Sequence, residues 1–288
     1  MSSTRRRSVW PASSSQGGKL TATDESGAGH FGWSVALSAD GSTAVIGGTS
    51  DVAKGAAWVF ARSGSAWAQQ GGRLTAPDGS FTFGHSVALS ADGSTALIGG
   101  NLNSITGGAW VFTRSGSTWA QQGGTLTGPA NFGDSVALSA DGSTALIGDP
   151  ENYPRRGAVW VFARSGSAWA QQGGTLTGDN RFGQSVALSA DGNTALVGDI
   201  SSTKGAAWVF SRSAWLSDGR EGTRTFRVLI RGFRGSYDEP KVVDSGARSN
   251  PDGPGRDRTC DLGIKSPLGR NATRRDERKE PAKQNALG

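Results

Sequence analysis

Several residue types on which common functions depend are scarce in this chain of 288 residues. A single cysteine, Cys260, excludes a disulfide framework and any zinc site built on cysteines. Two histidines, His30 and His85, leave little material for catalysis centred on histidine. No stretch approaches the roughly 18 consecutive apolar residues of a transmembrane helix, so we expect no membrane span.

Excess positive charge is also missing from the part of the chain that we expect to fold. The net charge of +6 comes from the two ends, because residues 1–9 carry three arginines and residues 217–288 carry 16 basic against 11 acidic residues. Residues 10–216 contain 11 basic and 13 acidic residues. A folded region with this balance argues against nucleic acid as a partner.

What the chain does contain is a repeated pattern rich in glycine and tryptophan. The motif FG-x-SVALSADG begins at four phenylalanines with spacings of 52, 49 and 50 residues: Phe31, Phe83, Phe132 and Phe182. A second motif, GA-x-WVF or GGAWVF, contains Trp58, Trp110, Trp160 and Trp208. A third motif, close to SGSAWAQQGG, contains Trp67, Trp119 and Trp169. This self-similarity predicts a repeat architecture of about 50 residues per unit.

Each repeat is predicted to form four antiparallel strands, which we call A to D. SVALSA and TALIG flank an Asp-Gly pair, a strong hairpin signal because both turn residues tolerate positive φ. GAVWVFAR and AWAQQGGTLT supply the third and fourth strands. Both faces of these strands are apolar or small, so each sheet must be covered on both sides. The expected fold class is all-β, a β-propeller-type array of four four-stranded antiparallel blades.

Whether this array is a closed ring or an open arc is not decided by the repeats. The fourth copy loses the pattern after Trp215, before its last strand is complete. Residues 16–21 (QGGKLT) carry the missing half, and their pairing with strand C of the last blade would close the ring and protect its edges. The alternative is a piece of a longer array.

The three motifs resemble the FG-GAP repeats, in the bacterial form related to the propeller of integrin α-subunits, over residues 10–216. The resemblance implies propeller blades, a role in adhesion or binding without enzymatic activity, and a location at the cell surface or outside the cell. The segment after Arg5, Arg6 and Arg7 is not apolar enough for a secretory signal, so the sequence itself does not support export.

Some FG-GAP blades carry a calcium loop of the D-x-D-x-D-G type. Each copy here has one aspartate in an Ala-Asp-Gly turn instead: Asp40, Asp92, Asp141 and Asp191. We therefore expect these residues to shape the turn, and we expect no metal or other cofactor.

The two ends are expected to differ from the repeats. Residues 1–9 and most of residues 217–288 are predicted to be disordered and basic. Within the C-terminal segment, TFRVLIRGF (225–233) alternates apolar with basic residues and predicts one strand. The stretch GRDRTCDLGIKSPL (255–268) resembles a peptide produced when a tRNA gene is read antisense, which indicates a non-native reading frame.

Variation among the four copies falls on one side of the predicted blades. The A–B and C–D turns are nearly constant, whereas the B–C and D–A loops on the opposite side differ in every copy. The richest of these loops offers Asp149, Glu151, Tyr153, Arg155 and Arg156. The residue after each FG, which we place at the mouth of the central channel, varies as well: Trp33, His85, Asp134 and Gln184. These nine residues form the predicted ligand-binding site.

The predicted function is a non-enzymatic scaffold that binds a protein or a glycan through this variable face. One alternative is a truncated or mis-predicted gene product without a function of its own. Another is an enzyme or a lectin-like site at the channel mouth, where Trp33 would stack on a sugar ring.

Overall fold

Strands form the regular secondary structure of the residues that the computed structural model describes, which are 18–50, 54–77, 82–101, 106–152, 157–178, 181–200, 205–213, 225–228 and 241–243. All of these residues belong to one unit, Met1–Ala247. Each copy of the repeat forms one antiparallel sheet with its strands in chain order, and we call these sheets blades 1 to 4.

Blades 1 and 2 follow the predicted order of strands A, B, C and D. The strands of blade 1 are β1 (Ser34–Leu37), β2 (Thr43–Gly48), β3 (Ala56–Ser63) and β4 (Ala66–Gln69). Those of blade 2 are β5 (Ser86–Leu89), β6 (Thr95–Asn101), β7 (Gly107–Ser115), β8 (Thr118–Gln121) and β9 (Leu126–Gly128).

Blades 3 and 4 repeat this order and each gains a strand from the C-terminal segment. Blade 3 contains β10 (Ser135–Leu138), β11 (Thr144–Asp149), β12 (Ala158–Ser165), β13 (Ala168–Gln171) and β14 (Thr175–Thr177). Blade 4 contains β15 (Ser185–Leu188), β16 (Thr194–Asp199) and β17 (Ala206–Ser213). The added strands are β18 (Thr225–Val228), which pairs with β17, and β19 (Lys241–Val243), which pairs with β14.

The A–B hairpin is longer than the Asp-Gly signal predicts. In blade 1 the connection runs from Ser38 to Ser42, and Gly41 rather than Asp40 adopts the positive φ of 67°. Asp40 instead holds the turn together, because its Oδ1 accepts hydrogen bonds from Ser38 Oγ at 2.6 Å and from the Ser42 amide at 2.9 Å. Of the two turn residues that tolerate positive φ, only the glycine uses it.

Strand D is not one continuous strand. In blade 2 both β8 and β9 pair with β7, and the chain breaks between them at Gly123, whose φ is 74°. The side chain of Gln121 donates a hydrogen bond to the Gly123 carbonyl at 3.2 Å and so stabilises the break. Blade 3 breaks at the equivalent Gly173.

Neighbouring blades pack face to face. At each of the three internal interfaces, tryptophan and phenylalanine side chains of one blade cover smaller apolar side chains of the preceding blade. Trp110 and Phe112 of blade 2, for example, pack with Val45 and Val59 of blade 1. This stacking of four antiparallel sheets confirms the all-β, propeller-type prediction.

Two expectations for the ends of the repeat region need correction. Strand C of blade 4 pairs with Thr225–Val228 rather than with residues 18–21, the described part of the segment that would have closed the ring. The described part of that segment packs on blade 1 instead, where Leu20 contacts the cluster around Trp58. The strand predicted within residues 225–233 is present at Thr225–Val228, but Lys241–Val243 form a strand that we did not expect. Residues 1–9 and 255–268 lie outside the described residues.

Candidate functional site

The A strands of neighbouring blades lie beside one another, in the order β1, β5, β10 and β15. The residue after each FG immediately precedes its A strand, so the four residues form a row along the variable side of the blades. We call Trp33, His85, Asp134 and Gln184 the FG-x row.

Backbone geometry fixes each member of the row. The glycine before it has a positive φ, such as 89° at Gly84 and 99° at Gly133, which other residues rarely adopt. The Gly84 amide donates to the Gly99 carbonyl at 3.2 Å, which anchors the start of strand A to the end of strand B.

The serine after each of the first three row members connects its blade to the next. Ser34 Oγ donates a hydrogen bond to the Gly84 carbonyl at 2.8 Å, and Ser86 Oγ donates to the Gly133 carbonyl at 2.7 Å. Ser135 Oγ makes the same bond to Gly183 at 2.7 Å. The repeated F, G and S residues therefore build the scaffold, whereas the residue between G and S is left to vary.

The side chains of the FG-x row contact one another in sequence order. The rings of Trp33 and His85 have centroids 5.6 Å apart. Nε2 of His85 lies 3.0 Å from Oδ1 of Asp134. Nε2 of Gln184 donates a hydrogen bond to Oδ2 of Asp134 at 3.3 Å. The structure thus brings together four of the nine predicted site residues.

The free end of the row is an exposed aromatic surface. Trp33 is 56% exposed, which is high for a tryptophan in a protein this rich in buried aromatic side chains. Its ring stacks against the ring of His30, with centroids 6.1 Å apart and an interplanar angle of 25°. His30 was not among the predicted site residues because it lies in a glycine-rich loop. Its position directly before the FG motif is the sequence feature that could have identified it.

A buried carboxyl group lies near the row. Asp149 ends β11 and is fully buried; its Oδ1 accepts a hydrogen bond from the Glu151 amide at 3.0 Å, and its Oδ2 has no hydrogen-bond partner among the described residues. Burial, together with the negative charges of Asp134 and Glu151, raises the pKa of Asp149 to about 6. Asp149 is therefore not an exposed ligand-binding residue, as the sequence predicted, but a buried group next to the row.

Glu151 lies at the surface of the same side. Its Oε1 is 3.2 Å from Nη2 of Arg181, which precedes the FG motif of blade 4. Both side chains are about half exposed, so this ion pair adds little stability. The ion pair nevertheless joins the B–C loop of blade 3 to the D–A loop that leads into blade 4. This contact agrees with the prediction that the two kinds of loop lie on the same side of the blades. Arg181 was not predicted, and Tyr153, Arg155 and Arg156 lie outside the described residues.

The opposite side of the blades is occupied by backbone contacts. The turn amide of Ala39 donates to the Ala91 carbonyl of the next blade, Ala91 donates to Ala140, and Ala140 donates to Ala190, each at 2.9 Å. These bonds explain why the A–B turns are constant: any insertion would break them. The variable residues lie on the other side, where backbone bridges between blades involve the repeated Gly and Phe, such as Gly55 with Phe83.

The turn aspartates do not fit a calcium site. Each contributes a single carboxylate, whereas calcium takes six to eight oxygen ligands, several of them carboxylate oxygens. Oδ1 of Asp92 and of Asp141 already accepts hydrogen bonds from a serine hydroxyl and a backbone amide. Within the described ranges, no group of three or more His, Cys, Asp or Glu residues is arranged to hold a metal ion. Nor does that part of the chain contain a helix long and apolar enough to cross a membrane.

Stacked four-stranded meanders with a row of variable side chains on one side define a β-propeller-type repeat protein. The family model of the FG-GAP repeat matches residues 15–60, so this segment, which contains most of blade 1, is an FG-GAP repeat. No curated protein sequence matches the chain.

Solved structures of propellers resemble the chain at low identity. TolB from Acinetobacter baumannii is 11% identical with a TM-score of 0.42, covering 62% of this chain and 40% of that one. The periplasmic gluconolactonase PpgL of Pseudomonas aeruginosa is 19% identical with a TM-score of 0.42, covering 68% and 56%. The Dos1 propeller is 13% identical with a TM-score of 0.41, covering 68% and 48%. The chain thus spans about half the length of these proteins, and its fold is assigned from its own strand order.

Proposed function

We propose that the chain is a non-enzymatic β-propeller-type scaffold that binds a glycan along the FG-x row. The observation that carries the proposal is the continuous row of an exposed indole, an imidazole, a carboxylate and an amide on one side of the blades. A sugar presents an apolar C–H face and several hydroxyl groups. Trp33 offers a surface for the first, and Asp134 and Gln184 offer hydrogen-bonding groups for the second.

The contacts of His85 support a binding role over a catalytic one. The ring of His85 contacts Trp33 and Asp134, and neither of these is a nucleophile that a histidine would activate. At a cell surface, a glycan site of this kind would serve in adhesion, which is the role that the FG-GAP resemblance implies. A protein partner bound through the loops around Glu151 and Arg181 is the second candidate, because their ion pair joins two variable loops.

The binding proposal is tested with the purified full chain on a glycan array, followed by calorimetric titration with the glycan that binds best. Trp33→Gln and Asp134→Gln are suitable variants, because Gln184 occupies the equivalent position in blade 4 and the scaffold accepts glutamine there. We expect each variant to weaken glycan binding roughly tenfold or more. Thr118→Gln is the matched control, since it places the same side chain at an exposed position near the C–D turn on the other side.

Three results would contradict the proposal. The first is the absence of any bound glycan, and the second is unchanged affinity in Trp33→Gln. The third is cleavage of a bound glycan, read by mass spectrometry of the recovered ligand, which would make the protein an enzyme. Capture of a protein partner whose affinity depends on Glu151 and Arg181 would favour the second candidate instead.

A further inference from the structure

Every blade has two chemically different faces. One face carries the Trp and Phe of strand C together with the Val and Leu of strand A, and we call it the aromatic face. The other carries Ala, Val or Leu from strands B and C, and we call it the small face. At all three internal interfaces, the small face of one blade packs on the aromatic face of the next blade. The chain therefore repeats one kind of interface three times.

The two terminal blades leave the same pair of faces partly exposed, although Trp58 and Phe60 on the aromatic face of blade 1 are buried. On the small face, Leu97 and Val111 of blade 2 are 0% and 1% exposed, whereas the equivalent Leu196 and Val209 of blade 4 are each 44% exposed. On the aromatic face of blade 1, Val35 is 70% exposed and Leu37 is 58% exposed. Within the described residues, blades 1 and 4 of one chain do not cover each other, since Val35 and Leu37 of blade 1 and Leu196 and Val209 of blade 4 stay exposed.

A groove lies on the exposed part of the aromatic face of blade 1. It has a volume of about 460 Å³ and lies between the N-terminal segment and strands A and B of blade 1. Its walls are apolar, with Leu20, Val35, Leu37, Ile46 and Trp67 among them. At the internal interfaces, the equivalent space is filled by small apolar side chains from the small face of the preceding blade.

A second feature of the terminal blades is complementary as well. Three leucines pair with strand C of their own blade: Leu74 with Ala57, Leu126 with Ala109 and Leu176 with Val159. Their side chains pack in the interface with the next blade. Leu20 occupies the same position of the motif GG-x-LT, and it packs on blade 1 from the preceding side. In blade 4 the residue equivalent to these strand C partners is Ala207, which is exposed.

We propose that a second copy of this chain covers these surfaces, so that the small face of blade 4 in one molecule packs on the aromatic face of blade 1 in the next. Leu196 and Val209 enter the groove, and the segment around Leu20 of the second molecule lies beside Ala207. The contact joins two different surfaces, so the association is head-to-tail. Its occupant is a second copy because the chain itself supplies both halves of an interface that it already makes three times.

The test uses the full chain and two variants that each block one end. Val209→Glu places a charge on the open small face, and Leu37→Lys places one on the open aromatic face; both positions are exposed, so neither change should affect folding. Light scattering after size exclusion, over a roughly hundredfold range of concentration, reports the mass. We expect the unaltered chain to associate as concentration rises and each variant alone to stay monomeric.

Mixing the two variants is the decisive step. Each retains the end that the other has lost, so the mixture should form a dimer of one Val209→Glu and one Leu37→Lys chain and nothing larger. Ile200→Glu, at a residue that is 52% exposed in the same blade but not counted in either face, is the control and should associate like the unaltered chain. A chain that is monomeric at every concentration would overturn the proposal, as would association of the unaltered chain with no dimer in the mixture.

Discussion

Replacing Gly148 by alanine is expected to lower the free energy of unfolding by about 3 kcal/mol or more, a large effect for the addition of one methyl group. A Cβ atom at this position would overlap the carbonyl oxygen of Gly183 in the next blade and the hydroxyl of Ser135. The carbonyl belongs to the backbone, and Ser135 is held by its hydrogen bond to the same carbonyl. Relief therefore requires blades 3 and 4 to move apart.

The matched control for this change lies one repeat further along the chain. Gly198 occupies the same position in blade 4, but the nearest atoms to an added Cβ there all belong to Ser185 of its own blade. Because a serine side chain can rotate, Gly198→Ala should cost about 1 kcal/mol or less. Urea unfolding of both variants measures the difference. Equal losses of stability in the two variants would mean that contact between blades does not restrict these glycines.

Replacing Asp149 by asparagine is expected to stabilise the protein at pH 7 by about 1–3 kcal/mol and to leave its stability nearly unchanged at pH 4. The pKa of Asp149 is raised from 3.8 to about 6 in the folded protein, chiefly by burial. Between these values the folded chain holds a proton that the unfolded chain releases. The contribution of the protonated group is therefore fully present below about pH 4 and is lost as the pH rises through 6.

Thermal or urea unfolding between pH 4 and pH 7 measures this dependence. Glu151→Gln is the control, because it removes a carboxylate charge two residues from Asp149, on a side chain that is half exposed. It should change the pH profile much less than Asp149→Asn. A constant difference between Asp149→Asn and the unaltered chain at pH 4 and pH 7 would show that the carboxyl of Asp149 does not carry the pH dependence.

The architecture was predictable because the repeats mark it four times over. Strands A, B and C begin and end close to the repeated motifs, and aromatic side chains at a period of two identify the faces that pack. The break in strand D and the longer A–B turn were missed for one reason. Both depend on hydrogen bonds between side chains and the backbone, such as those of Gln121 and Asp40, and alternation of apolar residues does not report such bonds.

The candidate site was predictable in part. Variation after the FG motif correctly indicated a common location for Trp33, His85, Asp134 and Gln184, because equivalent positions of stacked repeats are neighbours. Asp149 was misplaced, since in the sequence it begins a loop that also contains Glu151, Arg155 and Arg156, whereas its burial arises from the tertiary packing of blade 3. His30 and Arg181 were missed because they end variable D–A loops, from which the sequence singled out no residue.

The central claim is that each blade is stabilised by the neighbours that cover it, and hydrogen–deuterium exchange tests it most directly. Strand B lies between strands A and C in every blade, so β11 of blade 3 and β16 of blade 4 have the same strand pairing. They differ in coverage, because blade 3 is covered on both faces and blade 4 on one. Measured on dilute protein, the amides of β11 should exchange more slowly than those of β16. Equal protection of the two strands would contradict the account.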